Sequence, residues 1–225
     1  MPKVTERYLA NKRKEIIDAA MRVCEAKPAY KITLRDVVRE CGISVGGIYN
    51  YFASIDDIFV EIINYAYADL PSTLELSEML ESESPVSEII TVVFKHKGRR
   101  IDDLYGRYGK FMLELDSIML NDVERRENII SKYNGTYDWE AFVSLVSAFI
   151  TKHVNDGTIK PIVPLPHILL TIGNGVNTAK DVVITGEFAY KRLLELGLTE
   201  QECSTAEGMM EVLAGVVLEL LGKPK

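Results

Sequence analysis

The 225 residues are 47% hydrophobic and 26% charged, the ordinary mix of a chain that buries a core, which excludes a disordered protein and suits a small domain joined to a larger one. Uncharged stretches do not read as membrane spans, because the longest, residues 161–179, carries three prolines, His167, Asn174 and Asn177, and no apolar stretch follows the basic N-terminus as in a secretory signal, so a cytoplasmic protein with no membrane partner is expected. The net charge of −7 would by itself argue against nucleic acid, but residues 1–52 hold ten Lys or Arg against six Asp or Glu, a balance of +4, and the remainder holds −11, so the two halves differ in function.

Helical periodicity with caps recurs from end to end and alternating β-branched runs do not, so the fold class is all-α. A first helix over residues 9–25 would bury Ile16, Ala20 and Val23 and close before Pro28. Thr33 caps a second helix, with Asp36 three residues on and Leu34, Val37, Val38 and Cys41 on one face, and Gly42 stops it. Ser44 caps a short third helix through Tyr51, and two helices joined across Gly42 and Ile43 make a helix-turn-helix. A fourth helix opens at Ser54, buries Ile58, Ile62 and Tyr65, and stops before Pro71. Longer helices follow over residues 86–97, 102–122, 123–133, 138–154, 166–185 and 200–221, with boundaries approximate at both ends. This places a three-helix domain containing the helix-turn-helix at residues 1–53 and a larger helical domain at 54–225.

On a helical wheel Val45, Ile48 and Phe52 cluster toward the core, which leaves Gly46, Gly47, Asn50 and Tyr51 on the opposite side and Tyr49 at the margin. Two adjacent glycines weaken a helix by about 1 kcal/mol each relative to alanine, so a close backbone approach to DNA is a reason to keep them, a loose turn being the other. Cys24, Cys41 and Cys203 lack the spacing of a zinc site or a disulfide framework and read as small core residues; His96, His153 and His167 form no ligand pair. No metal or cofactor is expected. Without a phosphate loop after a strand or a nucleophile motif, enzymatic chemistry is not expected either.

Residues 16–59, IIDAAMRVCEAKPAYKITLRDVVRECGISVGGIYNYFASIDDIF, resemble the DNA-binding segment of the TetR family in helix lengths, turn position and the aromatics Tyr49, Tyr51 and Phe52. The resemblance implies a transcriptional regulator, acting as a repressor, that binds palindromic double-stranded operator DNA as a homodimer and is released by a small apolar or amphipathic inducer. It implies DNA contacts from Arg35, Ser44, Val45, Gly46, Gly47, Tyr49, Asn50 and Tyr51, with Asn50 suited to a base and Tyr49 and Tyr51 to the backbone. Three positions depart from the family: Ile55 stands in place of a lysine that meets phosphate, Gly47 in place of a small hydroxyl residue, and Pro28-Ala29 in place of a Gly-aromatic pair. Basic residues Lys3, Arg7, Lys12 and Arg13 are candidates to compensate for the missing lysine or are simply a solvated helix start. The alternative is a helical interaction protein that keeps the fold and has lost specific DNA binding.

In the larger half, Tyr105, Tyr108, Phe111, Met112, Trp139 and Phe142, with Asn174 and Asn177 as polar contacts, either line a ligand cavity or form plain core. Gly175 and Ala179 permit close helix approach, and Met209, Leu213, Val216, Val217 and Leu220 nearly encircle the last helix. These positions are candidates for a dimer bundle, or for burial within one subunit.

Overall fold

Caps and apolar stripes fix the local structure of a computed structural model that describes residues 6–68, 73–133 and 138–224, with side chains described for these except 73–74, 138–140 and 187–190. The helices are α1 (Glu6–Ala26), α2 (Leu34–Cys41), α3 (Val45–Ile48), α4 (Ile55–Ala68), α5 (Thr73–Leu80), α6 (Val86–Asn121), α7 (Val123–Lys132), α8 (Asp138–Asn155), α9 (Leu165–Thr185), α10 (Glu187–Glu195), α11 (Glu200–Cys203) and α12 (Ala206–Leu220). No strand occurs among the described residues, in keeping with an all-α chain. Packing divides it into two compact units, Met1–Asp69 with Lys110–Gly135, and Leu70–Gly109 with Thr136–Lys225. This division differs from one at residues 53 and 54, because α4 buries Ile58, Phe59 and Ile62 completely or nearly so and packs against both α1 and α7.

In the first unit α1 buries Ile16, Ala19, Ala20 and Cys24. Burial raises the Cys24 thiol to about 12, as expected of an inert core cysteine. Cys41 is only half-buried, unlike Cys24 and Cys203, since it ends α2 beside the turn. Tyr65, expected inside, is 38% exposed, and Lys14 covers its ring at 5.3 Å. The second half of α6 and α7 brace α4: Phe111 meets Phe59 edge-on at 5.4 Å, Arg125 donates to both Asp56 oxygens, and Lys132 pairs with Asp57.

The second unit is built around the first half of α6, with Val86, Ile90, Phe94 and Ile101 packed against Phe142, Val146 and Ile150 of α8 and Ile172 and Val176 of α9. Sequence periodicity places a break in α6 between residues 97 and 102; instead the helix runs through Gly98, whose missing side chain lets the start of α12 approach. A Cβ there would lie 2.5 Å from the Glu207 Cα. Asp102 accepts from the Ala206 and Glu207 amides at 2.8 and 3.0 Å, occupying N–H groups that the start of α12 leaves without intrahelical partners. The single helix expected over residues 200–221 is in fact two, α11 and α12, because Thr205 caps a fresh start. Helices α5 and α10 are not among the helices expected from the sequence.

Candidate nucleic-acid interface

The helix-turn-helix is assembled by local hydrogen bonds. Thr33 and Asp36 form a reciprocal capping box at the start of α2, Gly42 takes the left-handed conformation (φ 71°) that ends it, and Ser44 Oγ accepts from the Gly47 amide at 3.0 Å to start α3. Lys27, 2.6 Å from Asp36 Oδ2, and hydrogen bonds from Thr33 hold the Asp36 carboxyl down at about 2, against the opposing cost of its burial.

A folded-state value below the unfolded one of about 3.9 means that Asp36 stabilises the fold fully above that pH and ceases to do so as the pH falls through about 2. Asp36→Asn should therefore lower the melting temperature at neutral pH, by a loss of roughly 1 kcal/mol for the cap. The deficit should shrink as melts are repeated toward pH 2. A deficit independent of pH would contradict this account.

Helix α3 is shorter than expected: it ends at Ile48, and residues 49–51 form a turn held by Asn50 N–H to Gly47 O at 3.3 Å and Tyr51 N–H to Ile48 O at 2.9 Å. Ile48 and Phe52 are buried as the wheel requires, but Val45 is 52% exposed. The wheel misplaces Val45 because it is the first residue after the cap, and a helical side chain leans toward the N-terminus, where α3 has no preceding turn for it to pack on. Gly46 is exposed, and nothing lies within 4 Å of where its Cβ would be. Gly47 is half-buried, and a Cβ there would sit 2.9 Å from Ser44 Oγ, so this glycine serves the cap as well as any approach to DNA.

Exposed Ser44, Val45, Gly46, Tyr49 and Asn50 therefore come from one short segment, together with half-buried Tyr51, and Arg35 is exposed on α2. Neither Arg35 nor Asn50 makes a side-chain ion pair or hydrogen bond among the described residues, which leaves their donors available. Ile55 is half-buried as the first residue of α4. Of the basic residues near the N-terminus, Lys3 lies outside the described residues and Arg7 is exposed, whereas Lys12 pairs with Glu15 and Arg13 with Glu61.

The remaining candidates fall as follows. Phe111 and Met112 are buried in the first unit, whereas Phe142 is buried in the second, where half-buried Tyr105 and Tyr108 also lie. The Trp139 side chain lies outside the described residues, and Asn174 and Asn177 are exposed on α9. Clefts of the second unit include one of about 490 Å³ beside Lys95, Thr205 and Glu211 and one of about 240 Å³ beside Leu80, Leu145 and Phe149; none of the candidate ligand residues lines either. Helices α9 and α12 pack on each other within the chain. Ala179, Leu213 and Val217 are buried, and a Cβ on Gly175 would meet Leu213 Cδ2 at 2.4 Å; Met209 and Leu220 are half-buried and Val216 is 46% exposed. The described residues hold no group of His, Cys, Asp or Glu able to bind a metal ion, and no described helix is long and apolar enough to cross a membrane.

Comparison with known proteins places this geometry. Residues 16–62 match the family described as bacterial regulatory proteins, tetR family. YfiR, an HTH-type transcriptional regulator of Bacillus subtilis strain 168, is 27% identical over 178 residues, 78% of this chain and 82% of that protein. An HTH-type transcriptional repressor of Mycobacterium tuberculosis is 42% identical over 60 residues, covering 26% of this chain and 32% of its own length. Among solved structures, GusR of Salmonella enterica superposes over 98% of this chain and 99% of its own with a TM-score of 0.58 at 13% identity. The Bacillus subtilis regulator FadR in complex with stearoyl-CoA does so over 94% and 99%, with a TM-score of 0.51 at 16% identity.

Proposed function

We propose that the chain is a TetR-type helix-turn-helix transcriptional regulator that represses transcription as a cytoplasmic homodimer on palindromic operator DNA and is released by a small apolar or amphipathic inducer. Residues 1–53 carry the reading of DNA and residues 54–225 ligand binding and dimerisation; no enzymatic step is involved. The observation that carries this reading is the exposure of Ser44, Val45, Gly46, Tyr49 and Asn50 while Ile48 and Phe52 anchor the same segment in the core. In the major groove, Asn50 would pair with a base, Val45 would touch a thymine methyl, and Arg35, Tyr49 and Tyr51 would hold the backbone.

Dimerisation follows from the target, since two reading segments about 34 Å apart match two half-sites one DNA turn apart. The dimer face assigned here is the outer side of α9 and α12, where Leu170 is 64% exposed beside Asn174 and Asn177, and Val216 faces outward; Gly175, Ala179, Leu213 and Val217 support it from within. Sedimentation at micromolar concentration should give a dimer, and a monomer would remove this part. An amphipathic inducer is what the family resemblance implies, and the FadR neighbour was solved in complex with stearoyl-CoA. Such a ligand acts only through different affinities for the DNA-binding and released states.

The test is titration of the full chain against duplex fragments selected from genomic DNA at several salt concentrations. Tight, salt-sensitive binding of the selected fragments supports a specific regulator, and its absence favours a helical interaction protein, the reading that Ile55 and the acidic total suggest. Ile55→Lys should strengthen binding to all duplexes alike and steepen the salt slope by about 0.9. Weakened binding would mean that this residue does not face phosphate.

A further inference from the structure

We propose that Arg13 is a positioning residue that sets the orientation of the DNA-reading segment, and is not a phosphate contact; the proposal rests on the DNA-binding reading above. Its guanidinium joins three parts of the first unit. Nη1 donates to the Tyr51 carbonyl at 3.1 Å, Nη2 donates to Glu61 Oε1 of α4 at 3.0 Å, and the group lies 4.7 Å over the Phe52 ring. These partners stand 38 and 48 residues away, so the contact is a product of the fold and has no local signature.

The Tyr51 carbonyl is a meaningful place for such a donor. Helix α3 stops at Ile48, the chain turns, and carbonyls at the end of the segment have no following helical turn to bond them. A four-residue helix containing Gly46 and Gly47 has little stability of its own, so its orientation must come from what grips its ends. Ser44 grips the start; Ile48, Phe52 and Arg13 grip the finish. The planar fork matters, because a lysine would keep the charge but could not bond carbonyl and carboxylate while stacking on the ring. Glu61 holds the fork in place, and its negative charge makes the group a poorer partner for phosphate.

The experiment uses the full chain, a duplex recovered by the wild-type protein from a random-sequence pool, and an unrelated duplex of equal length. Arg13→Lys, Arg13→Gln and Glu61→Gln are each expected to weaken binding to the recovered duplex by about tenfold, as loss of charge-assisted hydrogen bonds implies. Affinity for the unrelated duplex and the salt slope should stay at wild-type values. If Arg13 instead meets phosphate, Arg13→Lys will bind like wild type, Arg13→Gln will flatten the salt slope by about 0.9 on both duplexes, and Glu61→Gln will bind more tightly. That pattern overturns the proposal. A merely structural role would lower melting temperatures while leaving discrimination between the two duplexes intact, which also overturns it. Should Arg13→Gln fail to fold, Arg13→Lys and Glu61→Gln still separate the outcomes. A wild-type protein that recovers no duplex refutes the DNA-binding reading itself, a result distinct from all of these.

Discussion

Gly98→Ala is expected to destabilise the second unit by about 1–3 kcal/mol, whereas Gly106→Ala, two turns along the same helix, should stabilise it by up to about 1 kcal/mol. Alanine is the better helix former at both positions, so propensity alone predicts a gain in each. At Gly106 nothing lies within 4 Å of the new Cβ and the gain should appear. At Gly98 the new atom would fall 2.5 Å from the Glu207 Cα and 2.6 Å from the Ala206 carbonyl oxygen, both backbone, so the start of α12 has to move. Movement there also strains the hydrogen bonds from the Ala206 and Glu207 amides to Asp102 and the Arg99–Glu207 ion pair at 2.9 Å. Thermal melts of the two variants should shift in opposite directions. If Gly98→Ala melts at or above the wild-type temperature, α12 is not docked on α6 as described.

Gly98 also explains what the sequence could and could not convey. Caps are encoded within four residues, so Thr33 with Asp36, Gly42 and Ser44 mark α2 and the turn in the sequence itself, and the residues around them carry the family resemblance. Continuity of α6 through Gly98 depends on contact with a segment more than a hundred residues later, and a glycine followed by two arginines reads locally as a break. Val45 illustrates a related error: the wheel treats it as an interior helical position, whereas it is the first residue of α3 and has no helical turn before it to pack over. Among the apolar candidates, the sequence could not separate core from cavity, because the distinction lies in the space between helices. Phe111 fills that space against Phe59, and Phe142 against Phe94. Arg13 was legible only as a basic residue near the N-terminus, and its contacts with Tyr51 and Glu61 required the fold.

Asn50→Ala is expected to cost about 1–3 kcal/mol at one base pair of each half-site, so that a selected operator loses most of its advantage over the same fragment changed at that position. The side-chain amide is exposed and makes no hydrogen bond among the described residues; Asn50 sits in the turn after α3, where its backbone N–H donates to the Gly47 carbonyl at 3.3 Å. Removing it therefore leaves the fold nearly unchanged, and melting temperatures should agree with wild type to within about 0.5 kcal/mol of stability. Because the amide carries no charge, the salt slope should not change, in contrast to the uniform gain expected from Ile55→Lys. A neutral residue that reads a base alters discrimination, whereas a charged residue that meets phosphate alters affinity for every duplex. Binding curves on operator variants substituted at each position in turn distinguish these effects. If Asn50→Ala weakens all variants equally, its amide holds the DNA backbone, and base recognition lies elsewhere on the exposed segment from Ser44 to Tyr49.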